Sequence, residues 1–517
     1  MNNTRYNILI AMAVSLGGFL FGFDAAVISG VTGFIVPEFD LNDIQLGWAV
    51  SSLSLAAGIA MAISGPLSDK VGRKPILLVV GLFYALSAIL SAMAPSFTIL
   101  VLARMLGGLA VGAALVLAPM YIAETTPARN RGKMVSIQQL NIVLGFSAAY
   151  FSNYFLLGLV DSDAAWVQSW GIAENVWRWM LAVEAIPAIL FFVTMIFVPE
   201  SPRWLLMHKK DDEGSSILER IHGAELAKVE FAEIKDSLEK VTEKVPFKEL
   251  FKPALRLVLV VGVIIGVLQQ ITGVNAIYFY ATTIFEQSGV GKNAAFAQAV
   301  WVGIINVVFT IIAMLLIDRL GRKPLLLLGI AGVAISMFLT SYGFNQATYQ
   351  LSADGLAKIE KLGDKDKLMP YVDQVFNNDL DFKKTMKQAI GTSDYAKIES
   401  DLIKNSIKMN PILVLIGILG FVASFAVSLG PVMWVLLSEI FPNWIRGLAI
   451  SFVAFINSAV SFLVQLVFPW ELSNLGNAMS YAIFGIFAVI GFFLILKMLP
   501  ETKGKSLEEI EKEFVTT

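Results

Sequence analysis

The sequence predicts an all-α membrane protein, with twelve transmembrane helices arranged as two pseudo-symmetric six-helix halves. Three observations lead to this prediction. Of 517 residues, 56% are hydrophobic and only 15% are charged, whereas soluble domains carry about 25% charged residues. The apolar residues gather into twelve stretches of roughly 20 residues or more, the length that crosses a bilayer as a helix. Short motifs also recur at corresponding places in the two halves of the chain.

The apolar stretches are interpreted as helices because runs such as Ile76–Leu82 lack the alternation of apolar and polar residues that marks membrane β-strands. The first stretch is too long for a signal peptide and contains Asp24, so we expect it to be retained. The predicted spans are 8–30, 45–67, 75–94, 97–123, 133–157, 178–198, 255–286, 296–317, 324–343, 410–438, 447–470 and 476–498.

Lysine and arginine residues concentrate in alternate short loops, and loops of this kind face the cytoplasm. This places both termini in the cytoplasm. The basic residues of these loops are Lys70, Arg73, Lys74, Arg129, Arg131, Lys133, Arg319, Arg322, Lys323 and Arg446.

Two polar segments divide the chain further. Residues 201–250 are rich in Glu and Lys and carry apolar residues at helical spacing, such as Ile217, Ile221 and Leu226, which predicts amphipathic helices on the cytoplasmic face. Residues 345–408 are rich in Lys and Asp and fall outside, because long polar loops translocate largely regardless of charge. The predicted units are a six-helix half over 1–200, a cytoplasmic helical linker over 201–250, a second half over 251–500 with the extracytoplasmic insertion 345–408, and a cytoplasmic tail over 501–517.

The repeat supports the two halves. The motif D-x-x-G-R-K-P begins at Asp69 after span two and at Asp318 after span eight, an offset of 249. The motif E-x-x-P-x-x-x-R-G begins at Glu124 after span four and at Glu439 after span ten, an offset of 315. The offsets differ by 66, close to the length of the external insertion. We infer that the insertion interrupts a duplicated six-helix unit.

The duplicated charges stand at cytoplasmic helix ends, and two parallel six-helix halves are typical of transporters that rock around a central site. We therefore predict an inter-helix charge network that closes the inner gate and breaks when the halves rock. The alternative is that these charges only set topology and solvate the loops. The residues of this network are Asp69, Arg73, Glu124, Arg131, Glu200, Asp318, Arg322, Glu439 and Arg446.

Together these motifs resemble those of the sugar porter family of the major facilitator superfamily, which includes bacterial proton-coupled pentose and hexose symporters and facilitative glucose transporters. The resemblance implies that superfamily's fold and a transporter rather than an enzyme, without a cofactor. The matching segments are Gly65–Asp69, Gly72–Lys74, Arg104 with Gly107-Gly108, Pro119–Glu124, Arg131–Lys133, Pro199–Trp204, Gln269-Gln270, Gly273–Asn275, Asp318 with Gly321–Lys323, Gly430–Trp434 and Pro500–Gly504.

Composition excludes several other classes of protein. Cysteine is absent, so disulfides, thiol catalysis and cysteine-bound metals are excluded. The net charge of −2 gives no basic surface for nucleic acid. Gly504-Lys505-Ser506 is not a nucleotide-binding loop, because Leu499 stands where such a loop needs glycine.

The expected partners are a monosaccharide, a proton and the lipid bilayer of the cell membrane, and the expected assembly is a monomer.

Asp24 in span one and Arg104 in span four are ionisable residues at similar depth in the outer half of the membrane, by counting about 1.5 Å per residue. Charges there are costly, so we expect the two to pair. Position alone fits a static ion pair as well as a proton switch. The segment Gly17–Asp24 resembles that of proton-coupled members, which carry the acid here, whereas facilitative members carry an uncharged residue. The resemblance therefore favours proton coupling through Asp24 and Arg104.

Shifting Asp24 by the repeat offset leads to Gly273, inside a cluster of amides. Carboxamides both donate and accept hydrogen bonds, which suits a neutral polyol. For any single amide, the alternative role is hydrogen bonding between helices. The resemblance implies that the sugar is bound by Phe21, Gln139, Gln269, Gln270, Asn275, Asn306, Trp434 and Asn457.

Three positions depart from the family pattern. Ser458 replaces a tryptophan that often follows the amide of span eleven, Phe279 replaces the first of two tyrosines, and Phe146 stands where related pentose transporters can carry an amide. The sequence predicts a proton-coupled importer of a pentose or hexose. The alternatives are a facilitative sugar uniporter and a non-transporting sugar sensor. Transport of amino acids or drugs is disfavoured, since no second buried charge is expected.

Overall fold

The computed structural model describes residues 3–126, 131–239, 246–359, 362, 364–442 and 444–503. Twelve helical stretches in these ranges are long and apolar enough to cross a membrane, which confirms the predicted fold class. The α-helices are α1 Asn3–Phe39, α2 Asp43–Val71, α3 Arg73–Ala92, α4 Phe97–Thr125, α5 Arg131–Gly158, α6 Ala165–Ser169, α7 Val176–Ala182, α8 Ala185–Phe197, α9 Pro202–Met207, α10 Asp211–His222, α11 Ala224–Glu239, α12 Arg256–Ile271, α13 Val274–Phe279, α14 Ala281–Gln287, α15 Lys292–Leu320, α16 Arg322–Asn345, α17 Ala353–Ala357, α18 Asp379–Ile390, α19 Thr392–Ser406, α20 Pro411–Val427, α21 Leu429–Ile440, α22 Arg446–Asn474 and α23 Asn477–Met498.

Three predicted spans are broken helices rather than continuous ones. Span six consists of α7 and α8, span seven of α12 to α14, and span ten of α20 and α21. In span seven, the break falls at Gly273, whose φ of +94° is a left-handed conformation that glycine adopts without a side-chain clash. The break turns the chain in the middle of the amide cluster.

Each half packs mainly on itself. In the first half α1 packs against α5 and α4 packs against α2 and α3, while in the second half α16 packs against α20 and α23. The halves meet along two helix pairs, α2 with α22 and α5 with α15, and at the contact of α1 with α13 and α14. Residues on α1 and α22 therefore lie on helices that form the interface between the halves.

The linker contains the three helices α9, α10 and α11. The side chain of Ser201 caps α9 by accepting a hydrogen bond from the backbone N–H of Trp204. Leu218 and Ile221 are buried on the apolar face of α10. In α11, Leu226 is exposed and the neighbouring Ala227 is buried.

The polar insertion 345–408 folds around a small core of its own. It contains a three-stranded antiparallel sheet in the order β2-β1-β3, with β1 Thr348–Gln350, β2 Val375–Phe376 and β3 Ile407–Lys408. The rings of Tyr349 and Phe382 stack in the core at 5.0 Å. The carboxylate of Asp379 accepts hydrogen bonds from the backbone and side-chain nitrogens of Asn477 at 3.0 and 2.9 Å. These bonds fasten the insertion to the first turn of α23.

Candidate functional site

A buried ion pair joins α1 to α4. Arg104 Nη1 lies 3.0 Å from Asp24 Oδ1, and both side chains are almost completely inaccessible. Gly107, one turn beyond Arg104, makes room for the carboxylate, because a Cβ there would lie 2.8 Å from Asp24 Oδ2. Within the described residues, Asp24 Oδ2 and Arg104 Nε and Nη2 have no hydrogen-bond partner. The pair is therefore incompletely satisfied, which is costly for buried charges.

A second buried carboxylate, Glu184, was not among the residues expected from the sequence. It lies between α7 and α8, is 3% exposed and has no partner for Oε1 among the described residues. It is within electrostatic reach of both Asp24 and Arg104. The sequence does indicate a buried charge at this position, since Glu184 is an acid within the apolar span 178–198. The expectation of no second buried charge was wrong, and zwitterionic substrates are not disfavoured on that ground.

The four amides of spans seven and eleven form one hydrogen-bonded cluster. Asn457 Nδ2 donates to Gln269 Oε1 at 2.9 Å, and Gln270 Nε2 donates to Asn457 Oδ1 at 3.1 Å. Asn275 Nδ2 donates to Gln270 Oε1 at 2.9 Å. Because Asn275 is only half-buried whereas the other three are buried, the cluster has one open end.

The cluster continues along α22 through two residues that were not predicted from the sequence. Asn275 Nδ2 donates to Ser461 Oγ at 2.6 Å, and Gln465 Nε2 donates to the same oxygen at 2.7 Å. Gln465 also bonds Ser54 on α2, with Nε2 to Oγ at 2.8 Å, which links the two halves. Their spacing in the sequence could have indicated this. Asn457, Ser461 and Gln465 follow one another at intervals of four residues and therefore share one face of a helix.

The remaining predicted sugar ligands are Asn306, Gln139, Phe21 and Trp434. Asn306 on α15 is buried, and Gln139 on α5 is half-buried; among the described residues, no hydrogen bond joins either one to the four amides. The ring of Phe21 meets that of Phe146 edge-on at 6.3 Å. Trp434 on α21 is 42% exposed, so its ring is accessible for stacking.

Charged side chains tie together the helix ends of the first half. Arg73 donates from Nε and Nη2 to the two carboxylate oxygens of Glu124, each at 3.1 Å, and its Nη2 also lies 3.0 Å from Asp69 Oδ1. Glu200 Oε1 accepts from the backbone nitrogens of Arg73 and Lys74 at 3.0 and 3.2 Å. A carboxylate is favoured at this position because it caps the N-terminus of α3.

The second half repeats this arrangement. Arg322 Nη2 lies 2.7 Å from Glu439 Oε1, and Glu501 accepts from the backbone nitrogens of Arg322 and Lys323 at 3.0 Å each. Arg446 Nε donates to the backbone oxygen of Phe441 at 3.1 Å. The side chains of Arg131 and Asp318 lie outside the described part of the structure. In both networks, these contacts join helices that belong to the same half.

At the other end of the molecule, hydroxyl groups connect the halves. Ser29 Oγ on α1 lies 3.2 Å from Thr282 Oγ1 on α14, and Thr32 Oγ1 lies 3.1 Å from Thr283 Oγ1. The backbone N–H of Thr282 also donates to Ser29 Oγ at 3.0 Å. The halves are therefore closed against each other at this end.

Residues 10–357 and 388–514 match the family model described as "Sugar (and other) transporter". The chain is 36% identical to the arabinose-proton symporter of Bacillus subtilis, covering 98% of this chain and 95% of that protein. It is 34% identical to the D-xylose-proton symporter of Escherichia coli, covering 98% and 96%. A solved structure of the E. coli xylose transporter XylE in a partially occluded inward-open conformation superposes with a TM-score of 0.73 at 31% identity, covering 97% and 100%. The chain therefore belongs to the sugar transporter family, and its resemblance to the sugar porters of the major facilitator superfamily is confirmed.

Proposed function

We propose that this protein is a proton-coupled symporter that imports a neutral monosaccharide, a pentose or a hexose, across the cytoplasmic membrane by alternating access. The observation that carries the proposal is the buried ion pair of Asp24 and Arg104 beside Glu184. A carboxylate paired with a guanidinium loses its charge when it takes up a proton, so protonation of Asp24 weakens the pair. The symporters of arabinose and of xylose among its relatives support the same activity.

The first half would handle the proton. In the proposed cycle, a proton binds Asp24 and weakens its bond to Arg104 at Oδ1. Loss of the proton on the inner side restores the pair. The energetic reason is that a buried guanidinium without a carboxylate is strongly disfavoured, so the protonation state of Asp24 biases how α1 and α4 pack.

The second half would bind the sugar. The cluster of Gln269, Gln270, Asn275 and Asn457 offers donors and acceptors in alternation, which matches sugar hydroxyls. Trp434 supplies an accessible ring for the apolar face of a sugar. Gln139, Asn306 and Phe21 would complete the pocket from the neighbouring helices.

We place both termini and the two charge networks on the cytoplasmic side, because the basic loops share that side. In this orientation, the hydroxyl contacts between α1 and α14 close the outer end, and the structure faces inward. The networks of Arg73 and Arg322 would hold the helix ends of each half together as the halves rock. We propose that the protein works as a monomer.

The test is uptake of radiolabelled sugar into proteoliposomes containing the purified protein, with and without an inward proton gradient. We expect the gradient to drive accumulation of D-xylose, L-arabinose or D-glucose above the external concentration, and abolition of the gradient with an ionophore to leave equilibration only. Uptake that ignores the gradient would make the protein a uniporter. Sugar binding without any transport would make it a sensor.

A further inference from the structure

The hydroxyl of Tyr278 is a buried polar group without a hydrogen-bond partner among the described residues. Its side chain is 4% exposed. Buried hydroxyl groups are almost always hydrogen-bonded in native proteins, so an exception needs an explanation. A ligand that is absent from the structure is one such explanation, provided that the tyrosine lies at a binding site.

Tyr278 lies where the amide cluster meets an aromatic wall. It follows Asn275 by three residues on α13, so the two side chains share a face of that helix. Its ring lies 4.9 Å from that of Phe146, which in turn meets Phe21 at 6.3 Å. Tyr150 donates a hydrogen bond of 2.6 Å to the backbone oxygen of Tyr278 and thereby fixes the helix at this point.

Aromatic side chains adjoin Tyr278 in this region. The ring of Phe146 contacts its ring, and Phe279, the next residue in the chain, is buried. Neither phenylalanine carries a polar group, so the Tyr278 hydroxyl is a polar group beside two apolar aromatic residues.

We propose that the Tyr278 hydroxyl binds the transported sugar directly, by a hydrogen bond to one hydroxyl of the monosaccharide, and so helps to determine which sugar is accepted. This inference rests on the proposed function, since it names a ligand group of the same pocket. The bond satisfies the buried phenol, and a sugar that lacks a hydroxyl at the matching position leaves it unsatisfied.

The test compares Tyr278→Phe with the wild-type protein in equilibrium binding of D-xylose, L-arabinose and D-glucose, followed by the monodeoxy analogues of the sugar that binds most tightly. We expect the variant to bind that sugar about five- to tenfold more weakly, the effect of one lost neutral hydrogen bond. For the analogue that lacks the partner hydroxyl, the two proteins should bind equally. For the other analogues, the difference between the proteins should persist.

Tyr481→Phe is the matched control, because the Tyr481 hydroxyl is also buried and without a partner among the described residues, while its ring packs against Phe344 and Phe468 rather than against Phe146. This control should bind every sugar like the wild type. Equal binding by Tyr278→Phe and the wild type, or an equal loss for every analogue, overturns the inference while the proposed function stands. If the wild-type protein binds none of the three sugars, the proposed function fails and the inference fails with it.

Discussion

At the scale of single residues, the proposed proton coupling depends on the charged side chains that are buried in the membrane-spanning helices. Each ionisable group at the centre of a membrane helix costs roughly 2.5–3.5 kcal/mol on insertion scales. Asp24, Arg104 and Glu184 are nevertheless buried together, and several of their polar atoms have no partner in the described residues. A purely structural ion pair would be more stable if each of its polar atoms had a hydrogen-bond partner. The unsatisfied polar atoms are better suited to a group that gains and loses a proton.

Asp24→Asn should separate the two activities of the protein. The amide keeps the size of the side chain but neither carries the charge nor titrates, so coupling to the gradient should be lost. Proteoliposomes with the variant should fail to accumulate sugar, while exchange of labelled for unlabelled sugar across the membrane persists. The matched control is Glu38→Gln, because Glu38 also pairs with an arginine, Arg178, but is nearly half exposed. Gradient-driven accumulation by Asp24→Asn would exclude Asp24 as the coupling residue.

Gln270→Ala should weaken sugar binding strongly. Gln270 bonds Gln269, Asn457 and Asn275, so its removal deletes one ligand and releases the others. Loss of one or two hydrogen bonds predicts an affinity reduced by about tenfold or more, measured by equilibrium binding on detergent-purified protein whose thermal unfolding is checked in parallel. Gln168→Ala, on the exposed side of α6, provides the control. Unchanged binding by Gln270→Ala would remove span seven from the site.

Some of these residues and contacts could be predicted from the sequence and others could not, for physical reasons. Asp24 and Arg104 were predictable as partners because depth in a membrane follows from counting along a helix. The contact of Asn457 with Gln269 and Gln270 was not predictable in this way, because it depends on how α22 packs against α12. Glu184 was visible as an acid in an apolar span but was not singled out. Ser461 and Gln465 required recognition of a polar face at helical spacing.

At the scale of elements, the broken span seven is the main departure from the predicted continuous helix. The apolar run continues through the break, so hydropathy does not reveal it. Gly273 marks it, because its φ of +94° is rarely open to other residues, and because a Cβ there would lie 2.6 Å from the ring of Phe484. The break lets Asn275 turn back toward Gln270, five positions earlier, at 2.9 Å.

Gly273→Ala should therefore lower both stability and sugar affinity. The left-handed conformation alone costs a non-glycine residue about 1–2 kcal/mol, and the contact with Phe484 adds to that cost. Gly171→Ala is the control, since Gly171 also has a positive φ, +61°, and a Cβ there would meet no atom closer than 3.8 Å. We expect thermal unfolding in detergent to show a larger loss for Gly273→Ala than for Gly171→Ala. Equal losses of stability in the two variants would mean that the contact with Phe484 does not restrict the side chain at position 273.

At the scale of the whole molecule, the two halves differ in their buried polar groups and are closed at one end. The first half holds the Asp24–Arg104 pair and the second holds the amide cluster, so in the proposed mechanism coupling passes through the contacts between them. The duplicated networks around Arg73 and Arg322 stabilise each half internally. The hydroxyl contacts between α1 and α14 hold the halves together. Hydrogen bonds of this kind are individually weak, which allows the same surfaces to separate once in every cycle.

A reversible cross-link between α1 and α14 should stop transport. The chain has no cysteine, so Thr32→Cys with Thr283→Cys introduces a single pair, at positions whose hydroxyl oxygens lie 3.1 Å apart. Oxidation should join the halves at the proposed outer end and abolish uptake into proteoliposomes, and reduction should restore it. Each single-cysteine variant under the same oxidant is the control and should keep its activity. Because alternating access requires this end to open in every cycle, full uptake by quantitatively cross-linked protein would be incompatible with the proposed mechanism.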